Sequence, residues 1–227
     1  MIPRASNSDK LNERREHLVS TITEVMLRKG FHKTTIRDMA AAAGWSMGQL
    51  YFYISRKEDV LFLITEDILE DVYGSLEAIR WNVSYRNTLE AAITAFFDAC
   101  RRKSHEIALL YRETASMLPE HREKIKAYEL RERSAFVDLL EGGIKAGEFR
   151  QVQSDMFAEV IIILAHSWIL KGWALRDTID FEGFKNAQLD FIFSYLSSPA
   201  RGGASDNQST GGIEAKGLSV TAAGAAL

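Results

Sequence analysis

The sequence predicts an all-α protein in which three N-terminal helices form a helix-turn-helix domain and a longer C-terminal part forms a helical domain, about nine helices in all. Three observations carry this. Prolines occur only at positions 3, 119 and 199 of the 227 residues, so helices can run far without interruption. Apolar residues recur at helical spacing along nearly the whole chain and alternate in strand fashion almost nowhere. Three capping boxes follow one another closely, each with a hydroxyl residue and an acid or amide three positions on: Thr35 with Asp38, Ser46 with Gln49, Ser55 with Glu58.

The first helix is expected over 10–29, with Leu11, Leu18, Ile22, Val25 and Met26 on one face and Gly30 as its stop. The capping boxes place further helix starts near 35, 46 and 55. The two helices between these starts are short and meet at Gly44; set against the longer first helix they describe a helix-turn-helix over about 35–54. A long helix should then run to about 79. The next, over 87–103, turns Leu89, Ile93, Phe96, Phe97 and Cys100 inward, and another covers 105–117 until Pro119 breaks it. The stretch 120–141 is charged outside, holds Ile125, Tyr128, Phe136, Leu139 and Leu140 inside, and is expected to end at Gly142, Gly143 and Gly147. Two last helices, over 155–176 and 181–196, are more apolar than one buried face requires. Residues 199–227 are rich in Gly, Ser and Ala with little to bury, which predicts a disordered tail.

Composition narrows the function. With 46% hydrophobic and 26% charged residues the chain reads as globular. One cysteine, Cys100, allows no intramolecular disulfide and reads as a small buried hydrophobe. No apolar leader opens the chain and the longest apolar run, 160–165, falls far below the ~20 residues that span a bilayer, so a cytoplasmic protein without membrane contact is expected. Net charge is −3, yet residues 1–57 hold ten Lys/Arg against five acids, leaving a basic head on an acidic body. Enzyme patterns are poor. His105-Glu106 begins like a zinc-protease motif, but Leu109 stands where the second histidine belongs. The histidines at 17, 32, 105, 121 and 166 lack ligand spacing, so no metal, cofactor or catalytic residue is expected.

Gly30-Phe31, Thr34-Thr35-Ile36-Arg37-Asp38-Met39-Ala40, Ala43-Gly44, Gly48, Leu50-Tyr51-Phe52-Tyr53 and Lys57-Glu58 resemble, in one register, the N-terminal domain of the TetR/AcrR regulators. The resemblance implies an N-terminal arm (1–11), a DNA-binding domain (12–72), an effector-binding and dimerisation domain (73–198) and the tail (199–227). It also implies a homodimer on double-stranded operator DNA, and Thr35 and Arg37 touching the backbone or an adjacent base. The residues themselves agree. A short helix capped by Ser46 fits the major groove, ~12 Å wide, with its first turn at base edges. Met47 can pack on a thymine methyl, Gln49 can pair with adenine, and Tyr51, Tyr53 and Lys57 can reach phosphates. Tyr53 and Ile54 stand where the family commonly has His and Phe, and Trp45 replaces a smaller aliphatic residue, with packing and DNA contact both open for it.

The C-terminal part is rich in aromatic residues. Phe97, Tyr111, Trp168 and Trp173, with Arg112 for an anionic head group, are the expected lining of an apolar effector cavity. Leu110-Tyr111-Arg112-Glu113 and Gly147-Glu148-Phe149 resemble family members that sense acyl thioesters, which makes an acyl-CoA-like molecule the expected effector. A lipophilic cation, held with help from Glu113, is the rival. An effector-independent dimeric DNA-binding protein is the alternative of another class. Ile161, Ile162, Ile163, Trp168 and Ile169 of one helix and Leu189, Ile192, Phe193 and Leu196 of the next are expected to form the dimer interface, because helices apolar on more than one face need burial on two sides. A repressor released from its operator by the effector is the reading these features support together.

Overall fold

In a computed structural model that describes residues 7–197, with side chains from residue 13 on, the chain forms nine α-helices and one 3-10 turn, and no strand occurs among the described residues. The helices are α1 (Asn7–Lys29), α2 (Ile36–Ala43), α3 (Met47–Tyr51), α4 (Asp59–Glu77), α5 (Tyr85–Arg102) and α6 (Ser104–Glu113), then the 3-10 turn (Thr114–Ser116), α7 (Pro119–Lys145), α8 (Ser154–Leu175) and α9 (Phe181–Ser197). The expected tail lies outside the described residues, and the expected N-terminal arm is helical from Asn7.

The head assembles as its sequence pattern requires. Leu18, Ile22 and Met26 of α1 are fully buried together with Met39 of α2, Leu50 of α3 and Ile54; each such side chain contributes about 1.5–3 kcal/mol by leaving water. The boxes at Thr35 and Ser46 close in both directions, each hydroxyl accepting from the N3 amide and each N3 side chain accepting from the cap amide. Gly44, at φ 67°, makes the left-handed turn between α2 and α3.

The third box does not form. Glu58, not Ser55, occupies the cap position of α4, and no side chain caps there. The Asp59 carboxylate reaches back instead, and one oxygen accepts from the amides of Ser55 at 2.8 Å and Arg56 at 2.9 Å. The Asp59 carboxylate thus takes the Ser55 amide from which the Glu58 side chain would accept in the box and satisfies the Arg56 amide as well, and its charge strengthens each bond.

Helix α4 joins the two parts of the molecule. It packs on α1 in the head and on α5, α6 and α7 in the body, and the expected division at 72/73 falls inside it. Helix α7 also differs from expectation. Gly142 and Gly143 lie within it because the Tyr85 ring occupies the space above one and the Phe149 ring the space above the other; Gly147, at φ 75°, follows its end.

Helix α8 is long and apolar enough to cross a membrane by length and composition alone. One side, with Ala158, Ile161, Ala165, Trp168 and Gly172, is buried in the bundle. The other presents Met156, Val160, Ile163 and Leu170 to solvent at helical spacing, beside exposed Phe191 and Tyr195 of α9. The expected interface set therefore needs correction. Ile161, Trp168, Ile192, Phe193 and Leu196 are buried in the chain's own core, Ile169 and Leu189 are half-buried against it, and Ile162 lines a cavity. Of the nine, Ile163 alone is exposed.

Candidate DNA-binding surface and effector cavity

Helix α3 stands at the surface with Leu50 as its single buried residue. Ser46, Met47, Gly48, Gln49, Tyr51 and Phe52 are exposed on it or at its ends, and Thr35 and Arg37 are exposed at the start of α2. These residues are therefore open to a partner from outside, on two helices that pack on each other. Gln49 is held in place: its side-chain carbonyl accepts from the Ser46 amide at 2.8 Å. Asp38 does for α2 what Gln49 does for α3. Its hydrogen bonds from Lys29 and from the Thr35 amide and hydroxyl hold its carboxyl at about 2, below the usual range.

Two expected contacts are placed differently. Lys57 donates to the His32 carbonyl at 3.0 Å and sits 4.4 Å from the centre of the Phe31 ring, so its ammonium clamps the turn between α1 and α2. Tyr53 is half-buried and packs on Trp45, with ring centres 5.2 Å apart, which gives Trp45 its role: it packs under the head surface. Sequence reasoning passed over Phe52, which is 80% exposed at the end of α3; the usable signal was an aromatic residue outside the helix's apolar spacing.

The head is tied to the body through the segment from Glu113 to His121. Arg56 pairs with Glu120 at 2.9 Å. His121 stacks on Phe62 with centres 4.6 Å apart and lies 3.8 Å from Asp59, the carboxylate that starts α4. The buried Glu113 pairs with Arg112 at 3.2 Å and approaches His32 at 3.8 Å.

Behind this segment lies a cavity of about 430 Å³ between α4, α6, α7 and α8. Ile68, Leu69 and Val72 of α4 line it, with Phe96, Ile107, Leu110, Met117, Ile125 and Ile162, so most of its wall is apolar. Arg122, Lys126 and Glu129 line it and are exposed, which puts them at its mouth. Tyr111 and His166 share a hydrogen bond of 2.9 Å at the wall, and burial pulls His166 down to about 4, leaving it neutral.

This lining differs from the expected one. Tyr111 is on it, but Phe97 is core against Phe184, Trp168 packs on Phe181 and Phe184, and Trp173 is 72% exposed. Arg112 is turned to Glu113, so the cationic side chains at the mouth are Arg122 and Lys126 instead. Among the described residues no group of three or more His, Cys, Asp or Glu is arranged to hold a metal.

Two family models match the chain: "Bacterial regulatory proteins, tetR family" over residues 18–64 and "Tetracyclin repressor-like, C-terminal domain" over 82–171. The transcriptional repressor KstR2 of Rhodococcus jostii is 28% identical over 203 residues, which cover 87% of this chain and 98% of that one. The fold matches FadR of Bacillus subtilis in complex with stearoyl-CoA, at a TM-score of 0.67 and 21% identity over 80% of this chain and 98% of that one. It matches AibR in complex with isovaleryl coenzyme A and operator DNA at 0.66 and 20%, over 81% and 100%.

Proposed function

The chain belongs to the TetR family of bacterial transcriptional regulators, and on that premise we propose that it is a ligand-responsive repressor. A homodimer holds operator DNA through α2 and α3 of each protomer and releases it when an amphipathic effector, an acyl-CoA thioester, fills the cavity. The observation that carries this reading is the cavity itself: an apolar chamber of about 430 Å³ with Arg122 and Lys126 at its mouth, walled by α4 and by the segment whose ion pairs hold the head. An apolar interior suits an acyl chain, and cations at the mouth suit phosphates. That FadR and AibR, of like fold, are seen with acyl-CoA molecules supports the same class.

Release follows by linkage. A ligand that fits the cavity better in one arrangement of α4 and α6 shifts the population toward it, and the two α3 helices then cease to match successive major grooves. Dimerisation rests on the exposed stripe of α8 and α9, which a second copy would cover in a four-helix interface.

The test is a gel shift on the DNA upstream of the chain's own coding sequence, repeated with acyl-CoAs of several lengths and with lipophilic cations. Specific, salt-sensitive binding and release by acyl-CoAs are expected. Release by cations alone would overturn the thioester; a stable complex with every compound would favour the effector-independent reading.

A further inference from the structure

Glu132 lies on the inner face of α7 and lines the cavity, yet it is only 8% exposed and has neither a hydrogen bond nor an ion pair among the described residues. Its charged surroundings are known from each helix packed about the site. On α7 itself Glu129 lies one turn away and Arg133 is turned to Asp155 and Glu159 of α8, at 3.8 and 3.7 Å. Helix α8 adds Glu159 and neutral His166, α6 adds Tyr111 and α5 the buried Cys100; in a second hollow that Glu132 also lines, α4 adds Glu66, Glu70 and Tyr73, and α7 adds Tyr128 and Arg131, which is turned to Glu77 at 3.6 Å. Among the described residues no cation forms an ion pair with Glu132. A buried, isolated carboxylate costs more than a proton does to acquire, so the group stays protonated. Burial, helped by Glu129 and Glu159, pushes it up to about 8.

A protonated carboxyl in a chamber of hydrocarbon is a hydrogen-bond donor without an acceptor. Resting on the thioester reading above, we infer that Glu132 donates to an oxygen, hydroxyl or keto, borne by the acyl group of the effector, so that the site prefers an oxygenated acyl chain to a plain hydrocarbon one. A cationic effector finds fewer rings than expected: of the expected aromatic set only Tyr111 lines the cavity, joined by Phe96, and at the mouth Arg122 and Lys126 stand beside Glu129.

The experiment measures release of the operator by octanoyl-CoA and by its internally and terminally hydroxylated forms, on the wild type and on Glu132→Gln and Glu132→Leu. Glutamine keeps a donor and removes the titratable proton; leucine keeps the volume alone. A hydroxylated form should act at about tenfold lower concentration on the wild type and on Glu132→Gln, and the preference should vanish in Glu132→Leu, a difference worth about one hydrogen bond. Equal action of all three on the wild type, or loss of preference in Glu132→Gln as complete as in Glu132→Leu, overturns the role of Glu132 and leaves the thioester reading standing. No release by any acyl-CoA, with release by octylamine, overturns both.

Discussion

Gln49 serves two purposes with one side chain. Its carbonyl oxygen accepts from the Ser46 amide and closes the cap of α3, which uses one of its two lone pairs; the other lone pair and both amide hydrogens remain for an adenine edge. A glutamate in its place would keep the cap and lose the donors. Gln49→Glu is therefore expected to melt at or slightly above the wild-type temperature while losing about 1–3 kcal/mol of preference for the operator over random DNA; equal losses in stability and preference would mean that the residue only caps. Glu132 makes a prediction of its own. Its carboxyl, raised from 4.5 to about 8, holds in the folded state a proton that the unfolded chain loses, so the fold weakens as pH rises across that window. Melting temperature should fall between pH 5 and 8 in the wild type and fall less in Glu132→Gln; parallel curves would refute the assignment. The two residues differ in legibility. Ser46 and Gln49 stand three apart, and the box is local. Glu132 looks in the sequence like one more acid on a charged helix, because the helices packed on α7 about it, α4, α5 and α8, lie elsewhere in the chain.

At the scale of elements, spacing foretold the helices better than their ends. The order of helices, the Gly44 turn and the caps at Thr35 and Ser46 depend on neighbours in sequence, and they are found where expected. The start of α4 is not, because Asp59 takes the Ser55 amide from which the Glu58 side chain would accept in the box. This has a direct consequence. Ser55→Ala should change stability by less than about 0.5 kcal/mol, whereas Asp59→Ala should cost about 1–2 kcal/mol, because it frees two amides and removes the partner of Arg56 and His121. Urea denaturation of both variants decides it, and a larger loss in Ser55→Ala would restore the hydroxyl cap. Gly142 and Gly143 were misread for a similar reason. A glycine pair signals a helix end, but here it makes room for the Tyr85 ring, which the tertiary fold brings near, and for the Phe149 ring, which the turn after α7 folds back.

Seen whole, the molecule is a head and a body sharing α4, with an apolar stripe left open on α8 and α9. The nine residues expected at a dimer interface lie on these two helices, and most of them are kept by the chain's own core, since both helices are apolar on several sides and only packing tells which side the chain keeps for itself. Leu170 is 41% exposed on the stripe and does not line the cavity. Sedimentation at micromolar concentration should give a dimer for the wild type and a folded monomer for Leu170→Glu, because a carboxylate in the middle of an apolar interface is left unpaired. A wild-type monomer would remove the basis for two half-sites. The cavity was expected, but Phe97, Trp168 and Trp173 were expected to line it, and aromatic richness could not separate a chamber wall from core or surface. The central claim is that the contents of this cavity decide whether the head holds DNA. Ile162 lines it half-buried from α8, and Ile162→Trp would fill part of it from within without touching the head. The direct measurement is fluorescence anisotropy of labelled operator DNA titrated with hydroxylated octanoyl-CoA, on the wild type and on Ile162→Trp. The account predicts full release from the wild type and at least about a tenfold higher requirement for the variant, whose operator affinity without effector is either kept or shifted toward release. Release of both at the same concentration would contradict it.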